Sequence, residues 1–577
     1  MATRPSGHTG LTNPVTSPGR GPLTGTVAGV WRRVRYPEAG PVDAGTGRRR
    51  GVLLFLALFL LTGSWALATP PYAAPDEPAH VFRAADVVRG DLVPARDSAL
   101  GPGIAVVEVP AGLVDSAARM ACFATRPDVD ASCAGDPGAD DRLVEAATGA
   151  ARYHPVYYAV IGWPSLLLSD DSALFAMRLL SALVVSLLLT AGLRSTWQHP
   201  HGRLLTAGAL VGLTPMVLFL GGTVNPNAVE IAGGFAVWAT GLTLVATDDP
   251  GRQRALVRRL SLAAMAMVVT RTISPLWLLL ILVFVALVAG RVRTLAVLRL
   301  RSTLVWAPVV GLTTVAAVAW TVLTNTNVVP EAPADPVGFL AAVRVVLEYM
   351  PVRLPEFVGV FGWLDTLPPT SSLVLVTVLL GGLVVLAVSA GQRRAVLVLV
   401  ALGVAIAVVP VVIEAAQYDS LGLFWQVRYT LPFAVGLPMV AAVTLASGLD
   451  GPPDVRLTGR MPVVLVIGMA AAQLGCFVWA LRRYQVGADA PLGTFDGAWA
   501  PRVGTVTVIG MQVLGLVLLC LAVLRRVRGV DLVPGTVGPD EQAGTEPADG
   551  EEHPRAGEDD SEVGTSVPGG AHTHAVH

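Results

Sequence analysis

A chain of 577 residues with 53% hydrophobic and only 14% charged side chains, and a mean hydropathy of +0.60, has too little polar surface to remain in solution as a globule. Its net charge of −1 supplies no basic surface and excludes a nucleic-acid partner, and four cysteines exclude a disulfide-dense scaffold. What remains is an integral membrane protein.

Residues 1–47 are rich in Pro, Gly and charge and lack apolar periodicity, so they read as a disordered leader. A multi-pass membrane domain follows over 48–528. Apolar runs of roughly 16–22 residues, long enough to cross a bilayer, fall near 51–68, 172–193, 203–220, 225–246, 255–270, 273–290, 303–324, 372–390, 394–413, 428–447, 461–481 and 503–524. The first has two readings. Arg48, Arg49 and Arg50 before it and Ala66-Leu67-Ala68 after it resemble a signal sequence; the long leader and the many later runs favour an uncleaved anchor.

Basic clusters lie at Arg48–Arg50, Arg194/Arg203, Arg252–Arg259, Arg291–Arg301, Arg393/Arg394 and Arg525–Arg528. Placing all of them in the cytoplasm satisfies the positive-inside rule. It gives twelve spans in a cell membrane, both termini cytoplasmic, and 69–152, 325–371, 414–427 and 482–502 outside. That parity requires 153–168 to lie on the outer side as a juxtamembrane or re-entrant helix; if it crosses, there are thirteen spans and every later cluster flips. Residues 529–577 read as a disordered acidic cytoplasmic tail, in which His572, His574 and His577 are solvated rather than a metal tract.

Several outer-edge residues carry chemistry. Asp76 and Glu77 directly follow the first span, with His80 and Arg83 on a helix that starts near Pro78, where a helix N-terminus favours negative charge. A plain helix cap is one reading; a general base at the lip of an outward cavity is the other. Further along stand His154 and Tyr157, Arg178, Asn225 and Asn227 with Glu230, Arg271, Trp363 and Asp365, and Gln426, Arg428 and Tyr429. A lone arginine at a span end more often snorkels to headgroups than binds a ligand. Arg271 differs, because it interrupts a run that is apolar on both sides, and an ionisable residue there is functional by default. Its natural partner is a phosphate or one of the outer carboxylates. Cys122 and Cys133 share one polar loop on the oxidising side and are a candidate disulfide, whereas Cys476 and Cys520 sit in apolar runs as small buried hydrophobes. No CxxC, HExxH or Walker-type sequence occurs.

The blocks PDEPAHVFRA (75–84), YHPVYY (153–158), NPNAVEIA (225–232), FGWLDTLP (361–368) and QVRYTLP (426–432) together resemble the bacterial membrane family called domain of unknown function 2142, with order and spacing agreeing over roughly 50–525. Val427 stands where members often carry Gly before the Arg-Tyr pair. That family is in turn remotely similar to the C-type (GT-C) glycosyltransferases, multi-pass enzymes that take sugars from polyprenyl-phosphate carriers outside the cytoplasmic membrane. The resemblance implies an all-α bundle of about 12–13 transmembrane helices with a large first extracytoplasmic loop. It makes Asp76, with Glu77, the base on the acceptor hydroxyl. Arg271 and Arg428 would offset charge on the leaving phosphate, and His80, His154, Tyr157 and Trp363 would position sugar rings. Arg83, Asn225, Asn227, Asp365, Gln426 and Tyr429 complete the implied substrate-binding set. Many relatives have a second carboxylate where Asn225-Pro226-Asn227 stands, so no cofactor is certain and a divalent metal is left open. The implied partners are the bilayer, a polyprenyl-phosphate sugar and a cell-wall or surface glycan acceptor. A lipid or glycan transporter or flippase, which needs broken helices near the midplane, and a non-catalytic envelope-assembly protein are the alternatives.

Overall fold

The computed structural model describes residues 44–528 except 97, 102, 137, 327–332, 334, 450–454 and 492. The expected leader (apart from residues 44–47) and the expected tail 529–577 lie outside the described residues. In chain order, α1 (Ala44–Ala68) crosses the bundle and ends in a lobe. The lobe holds α2 (Glu77–Val87), β1 (Ala105–Pro110), α3 (Ala111–Arg119), β2 (Leu143–Thr148) and the short α4 (Pro155–Ile161). The chain returns through α5 (Asp171–Thr196), then runs through α6 (Gly202–Gly212), α7 (Pro215–Gly221), α8 (Pro226–Ala246), α9 (Pro250–Val268), α10 (Ser274–Ala289), α11 (Arg291–Leu298) and α12 (Arg301–Leu323). After α13 (Phe339–Arg353) on the lobe side come α14 (Thr370–Ala390), α15 (Arg393–Leu421), α16 (Leu431–Ala434), α17 (Gly436–Ser447), α18 (Val455–Val486) and α19 (Thr505–Arg528).

Among the described residues, 8 helices are long and apolar enough to cross a membrane, or 9 if the pair α6–α7, bent by 69°, counts as one span. The shorter apolar helices are α10 and Leu431–Ser447, and α9 carries Arg252, Arg254, Arg258 and Arg259 in its first turns. Each apolar run of the sequence thus coincides with a helix or a bent pair. The exception is 153–168, where α4 has 7 residues and rises only about 10 Å against a hydrocarbon core of about 30 Å. It lies on the lobe face with Val156, Val160, Trp163, Leu166, Leu167 and Leu168 exposed.

The expected loop 414–427 is mostly helix. The hydropathy drop at Glu414 suggested an end, but α15 continues to Leu421 and stops at Gly422, whose φ of 64° suits a glycine C-cap. Glu414 is fully buried there because Arg353 neutralises it.

The basic span ends gather on the face away from the lobe. Arg259 donates to Ser195 Oγ at 3.3 Å, and Arg394 to the Leu287 carbonyl at 3.2 Å. Helix α8 is the axis of the bundle, with 94% of its apolar window buried against 6% for α12, and it packs on α5, α9 and α10. Close approach needs small residues at such crossings. A Cβ on Gly234 of α8 would stand 2.3 Å from the Pro432 carbonyl oxygen, so this glycine lets α8 touch the segment carrying Arg428. Hydroxyl pairs join spans as well, Thr62 to Ser186 at 3.1 Å and Thr240 to Ser195 at 3.0 Å.

In the lobe, β1 and β2 pair antiparallel from Ala105↔Thr148 to Pro110↔Leu143. Their buried Val107, Val109 and Ala146 pack with α2. Cys122 and Cys133 form a disulfide. Arg483 at the end of α18 donates to the carbonyls of Phe123, Arg126 and Val129 at 2.9, 2.9 and 3.0 Å, which fastens this cystine loop to the bundle.

Candidate functional site

The turn between α1 and α2 carries two residues in left-handed conformation, Tyr72 (φ 56°) and Asp76 (φ 61°). Such conformations cost energy for non-glycine residues and persist only when the surroundings enforce them. Four side chains grip the carbonyls of this turn. Arg178 donates to those of Ala66, Thr69 and Pro70 at 3.1, 2.7 and 2.9 Å. Trp363 Nε1 holds Tyr72 at 3.0 Å, Tyr484 Oη holds Ala73 at 3.5 Å and Asn225 Nδ2 holds Pro75 at 3.2 Å.

The two adjacent carboxylates have opposite surroundings. Glu77 is fully buried and accepts from Arg178 Nε and Nη2 at 2.8 and 2.5 Å and from the Val224 amide at 3.0 Å. With the three carbonyls, all five N–H groups of Arg178 are used. Asp76 keeps its side chain 47% exposed and pairs with Arg428 Nη2, which is 2% exposed. Arg428 Nε donates to Gln426 Oε1 at 2.6 Å, which fixes the plane of the guanidinium.

A second guanidinium stands close by. Arg271 lies 4.2 Å from the centroid of the Tyr429 ring and Arg428 lies 5.0 Å from the same centroid. Arg271 also lies 3.9 Å from Glu230, a fully buried carboxylate held by Ser274 at 2.7 Å and Asn227 at 2.9 Å. His80 Nδ1 meets the Tyr158 hydroxyl at 2.9 Å. Burial pushes the His80 pKa down to about 3, with Arg428 and Arg271 adding and Asp76 opposing. Burial alone would raise the Asp76 pKa, but Arg428, His80 and Arg271 more than reverse it, and the net shift is downward. Because His80 is neutral above about pH 3, the arginines carry that effect.

The sequence-derived residues therefore divide. Asp76, His80, Arg271, Gln426, Arg428 and Tyr429 converge, with Asn227 one step behind through Glu230. Glu77 and Arg83 are instead internal braces. Arg83 is buried and holds Asp86 at 3.2 Å and the carbonyls of Asp91, Leu92 and Tyr153 at 3.0, 2.7 and 3.3 Å. Asn225 caps α8 through the Asn227 amide at 3.0 Å, and Tyr157 meets Ser181 at 3.1 Å. His154 caps α4 and its ring centroid lies 5.6 Å from that of Trp320. Asp365 accepts from the Thr125 amide at 3.0 Å and Arg483 at 3.2 Å, so with Trp363 it latches the second loop to the first.

The match to known families bears on this same stretch. The family model described as "Predicted membrane protein (DUF2142)" matches residues 59–437, from the middle of α1 to just past the QVRYTLP block. The chain belongs to that family. All of the converging residues of this DUF2142 protein fall inside the matched range. No curated protein matches the sequence. Among solved structures, ArnT from Cupriavidus metallidurans in the apo state aligns with 14% identity over 84% of this chain and 78% of that chain, at a TM-score of 0.39. The same protein bound to undecaprenyl phosphate aligns with 14% identity over 82% and 76%, at 0.37. The match is long but loose.

Sequence reasoning passed over Tyr158, Glu356 and Glu414. Glu414 accepts from Arg353 at 2.7 Å and from the Trp425 amide at 2.9 Å, and Glu356 accepts from the Val427 amide at 2.8 Å. Together they hold the turn Val427–Tyr429 that presents Arg428. A carboxylate inside the apolar run of α15 was a readable signal for Glu414; nothing local marked Glu356.

The donor set does not suit a divalent cation. Asp76 is paired with Arg428 and Glu230 with Arg271, and among the described residues no group of three or more His, Cys, Asp or Glu side chains converges.

Proposed function

We propose that this protein is a membrane glycosyltransferase that moves a sugar from a polyprenyl-phosphate donor to a cell-envelope acceptor, with the lobe on the extracytoplasmic side. The observation that carries the reading is Asp76, a half-exposed carboxylate in a strained, braced turn, facing two guanidiniums that share one tyrosine ring. One base and two cations match the needs of glycosyl transfer from a phosphate. The acceptor oxygen attacks the anomeric carbon, the bond from that carbon to the phosphate oxygen breaks, and the phosphate leaves with the electron pair. Asp76 takes the acceptor proton. Arg428 and Arg271 meet the charge that grows on the phosphate, a contribution of about 3–4 kcal/mol for each well-placed donor in such sites.

The orientation is supported by the basic span ends opposite the lobe and by the lobe's disulfide, which persists in oxidising compartments. The bent pair α6–α7 is the feature that favours a transporter, since carriers use broken helices at polar sites. Here the break is sealed instead. Gln473 Nε2 donates to the Leu213 carbonyl at 2.6 Å and the Met216 amide to Val358 at 2.9 Å, beside an apolar void of about 20 Å³.

The test is a deletion strain complemented with wild type or Asp76→Asn, with lipid-linked sugars and envelope glycans profiled. The variant is expected to reach the membrane at normal abundance and to lose transfer by roughly 10²–10⁴-fold, with the polyprenyl-phosphate sugar accumulating. Full transfer by Asp76→Asn overturns the assignment.

A further inference from the structure

A second cavity opens in the lobe, separate from the Asp76 cluster. Its volume is about 330 Å³, within the roughly 300–1,000 Å³ typical of small-molecule sites. It lies between the end of α1, the cystine loop, the start of α5 and the segment 498–502. Its walls alternate flat apolar surface with fixed polar groups. Trp499, Phe175, Pro70 and Pro71 supply the first. The second centres on Asp171, only 3% exposed at its side chain, which accepts from Ser116 Oγ and from Arg502 Nη2, the latter at 3.1 Å. Arg502 also lies 3.7 Å from Asp136 and 5.3 Å from the Phe175 ring centroid.

The charge balance separates this cavity from the Asp76 cluster. Two lining carboxylates, Asp136 and Asp171, face two lining guanidiniums, Arg119 and Arg502, so the sum is zero and no unpaired cation awaits a phosphate. Aromatic and prolyl faces beside a buried carboxylate paired with a half-exposed guanidinium suit a ligand that is itself two-faced and uncharged. A pyranose ring is such a ligand, with C–H faces to stack and hydroxyls to donate to Asp171 and accept from Arg502. The cavity is also wired to the catalytic turn. Pro70 lines it, and Arg178 joins the Pro70 carbonyl to Glu77, the neighbour of Asp76.

We propose that this cavity is a binding subsite for a neutral saccharide unit of the acceptor glycan. The assignment rests on the glycosyltransferase reading for the word acceptor, but saccharide binding itself is measurable without turnover. Full-length protein in lipid nanodiscs (a maltoside detergent would carry a competing sugar) is titrated with methyl α-D-mannoside, methyl β-D-galactoside and methyl α-D-glucoside, with binding read by saturation-transfer NMR. Wild type is expected to bind at least one of them. Trp499→Ala and the cavity-filling Ser132→Trp are expected to weaken that binding at least tenfold, while Asp76→Asn binds as wild type does. Thermal unfolding of each variant checks that the lobe is folded, and Ser132→Trp, at an exposed position, keeps the test valid if Trp499→Ala unfolds. Equal binding by wild type and both cavity variants, loss of binding in Asp76→Asn, or no binding to wild type overturns the proposal. Loss of transfer in Asp76→Asn with saccharide binding intact supports both readings, and intact binding with unaltered transfer refutes only the enzyme.

Discussion

Glu77→Gln separates the roles of two carboxylates that are neighbours in sequence. Glu77 and Arg178 are both 0% exposed, and the carboxylate takes three hydrogen bonds, two from Arg178 and one from Val224. Glutamine keeps the shape but has one carbonyl oxygen, and it turns an NH2 group towards a guanidinium that can only donate. The result is a buried cation without its anion, which costs about 3–5 kcal/mol. Asp76→Asn is a contrast one residue away. Its carboxylate is 47% exposed and asparagine accepts the left-handed φ of 61° as readily as aspartate, but Arg428 is only 2% exposed, so losing the pair costs more than at an open surface and less than at Glu77, about 1–3 kcal/mol. The assay is thermal unfolding of both variants in nanodiscs, alongside transfer from lipid-linked sugar. Glu77→Gln is expected to melt several degrees lower and to give less protein, with turnover retained by the folded fraction. Asp76→Asn is expected to melt less far below wild type than Glu77→Gln does and to be inactive. A Glu77→Gln/Arg178→Met double variant should recover part of the lost stability, because the orphaned charge is gone. If Glu77→Gln is as stable as wild type, the buried-brace reasoning is refuted.

Arg428→Lys keeps the charge but cannot hold Asp76 and Gln426 in one plane. Transfer should fall about 10²-fold at unchanged abundance, and the acid limb of the residual pH–rate profile should move upward, since the guanidinium hydrogen bond that helps hold the Asp76 pKa down is lost while burial still raises it; an unmoved limb counts against the pair. The His80 imidazole binds its proton only near pH 3 in the fold but near 6.5 when unfolded. The unfolded chain therefore holds more protons between those values, and stability should fall as pH drops from about 7 towards 4. His199, also pushed down to about 3 by burial and by His201, acts in the same direction, so His80→Gln should reduce that slope and leave a remainder; an unchanged slope in thermal scans from pH 5 to 8 refutes it. Replacing Cys122 and Cys133 by Ser opens a loop of sequence separation 11 and should cost roughly 3 kcal/mol by loop closure. Hydrogen exchange should then quicken in 123–133 and leave the spans unchanged.

The apolar helices were legible because a bilayer imposes length and apolarity residue by residue, but among the described residues only 8 or 9 of the twelve expected spans are long and apolar enough to cross. The stretch 153–168, left between a surface helix and a thirteenth span by charge parity, is decided by the 7-residue length of α4. The end of α15 was not legible, since Glu414 is polar in the sequence and buried only because Arg353, 61 positions away, meets it. The site was partly legible for the same reason. Arg271, Arg428 and Asp76 announce themselves as charges at span ends. What the sequence could not divide was Asp76 from Glu77, because the difference lies wholly in tertiary partners. One faces Arg428 across 352 positions of chain, the other Arg178 across 101. Asp365 was misgrouped on similar grounds: a charge beside a tryptophan reads as a ligand group until Arg483 and the Thr125 amide are seen to occupy it.

The ion pair between Asp76 and Arg428 has a consequence for the order of events in the proposed reaction. A carboxylate whose pKa is held down by a guanidinium is a poor base, and as long as Arg428 faces it, Asp76 has little tendency to take a proton. A donor phosphate competes for the same guanidinium and can take it bidentately. Once Arg428 turns to the phosphate, Asp76 keeps its partly buried setting but loses its strongest attractive partner, and its basicity rises. The base would then be active only when the leaving group is in place, which guards the site against acceptor deprotonation without a sugar to receive. Arg271 does not share that exchange, because Glu230 behind it, fixed by Ser274 and Asn227, anchors it to the bundle.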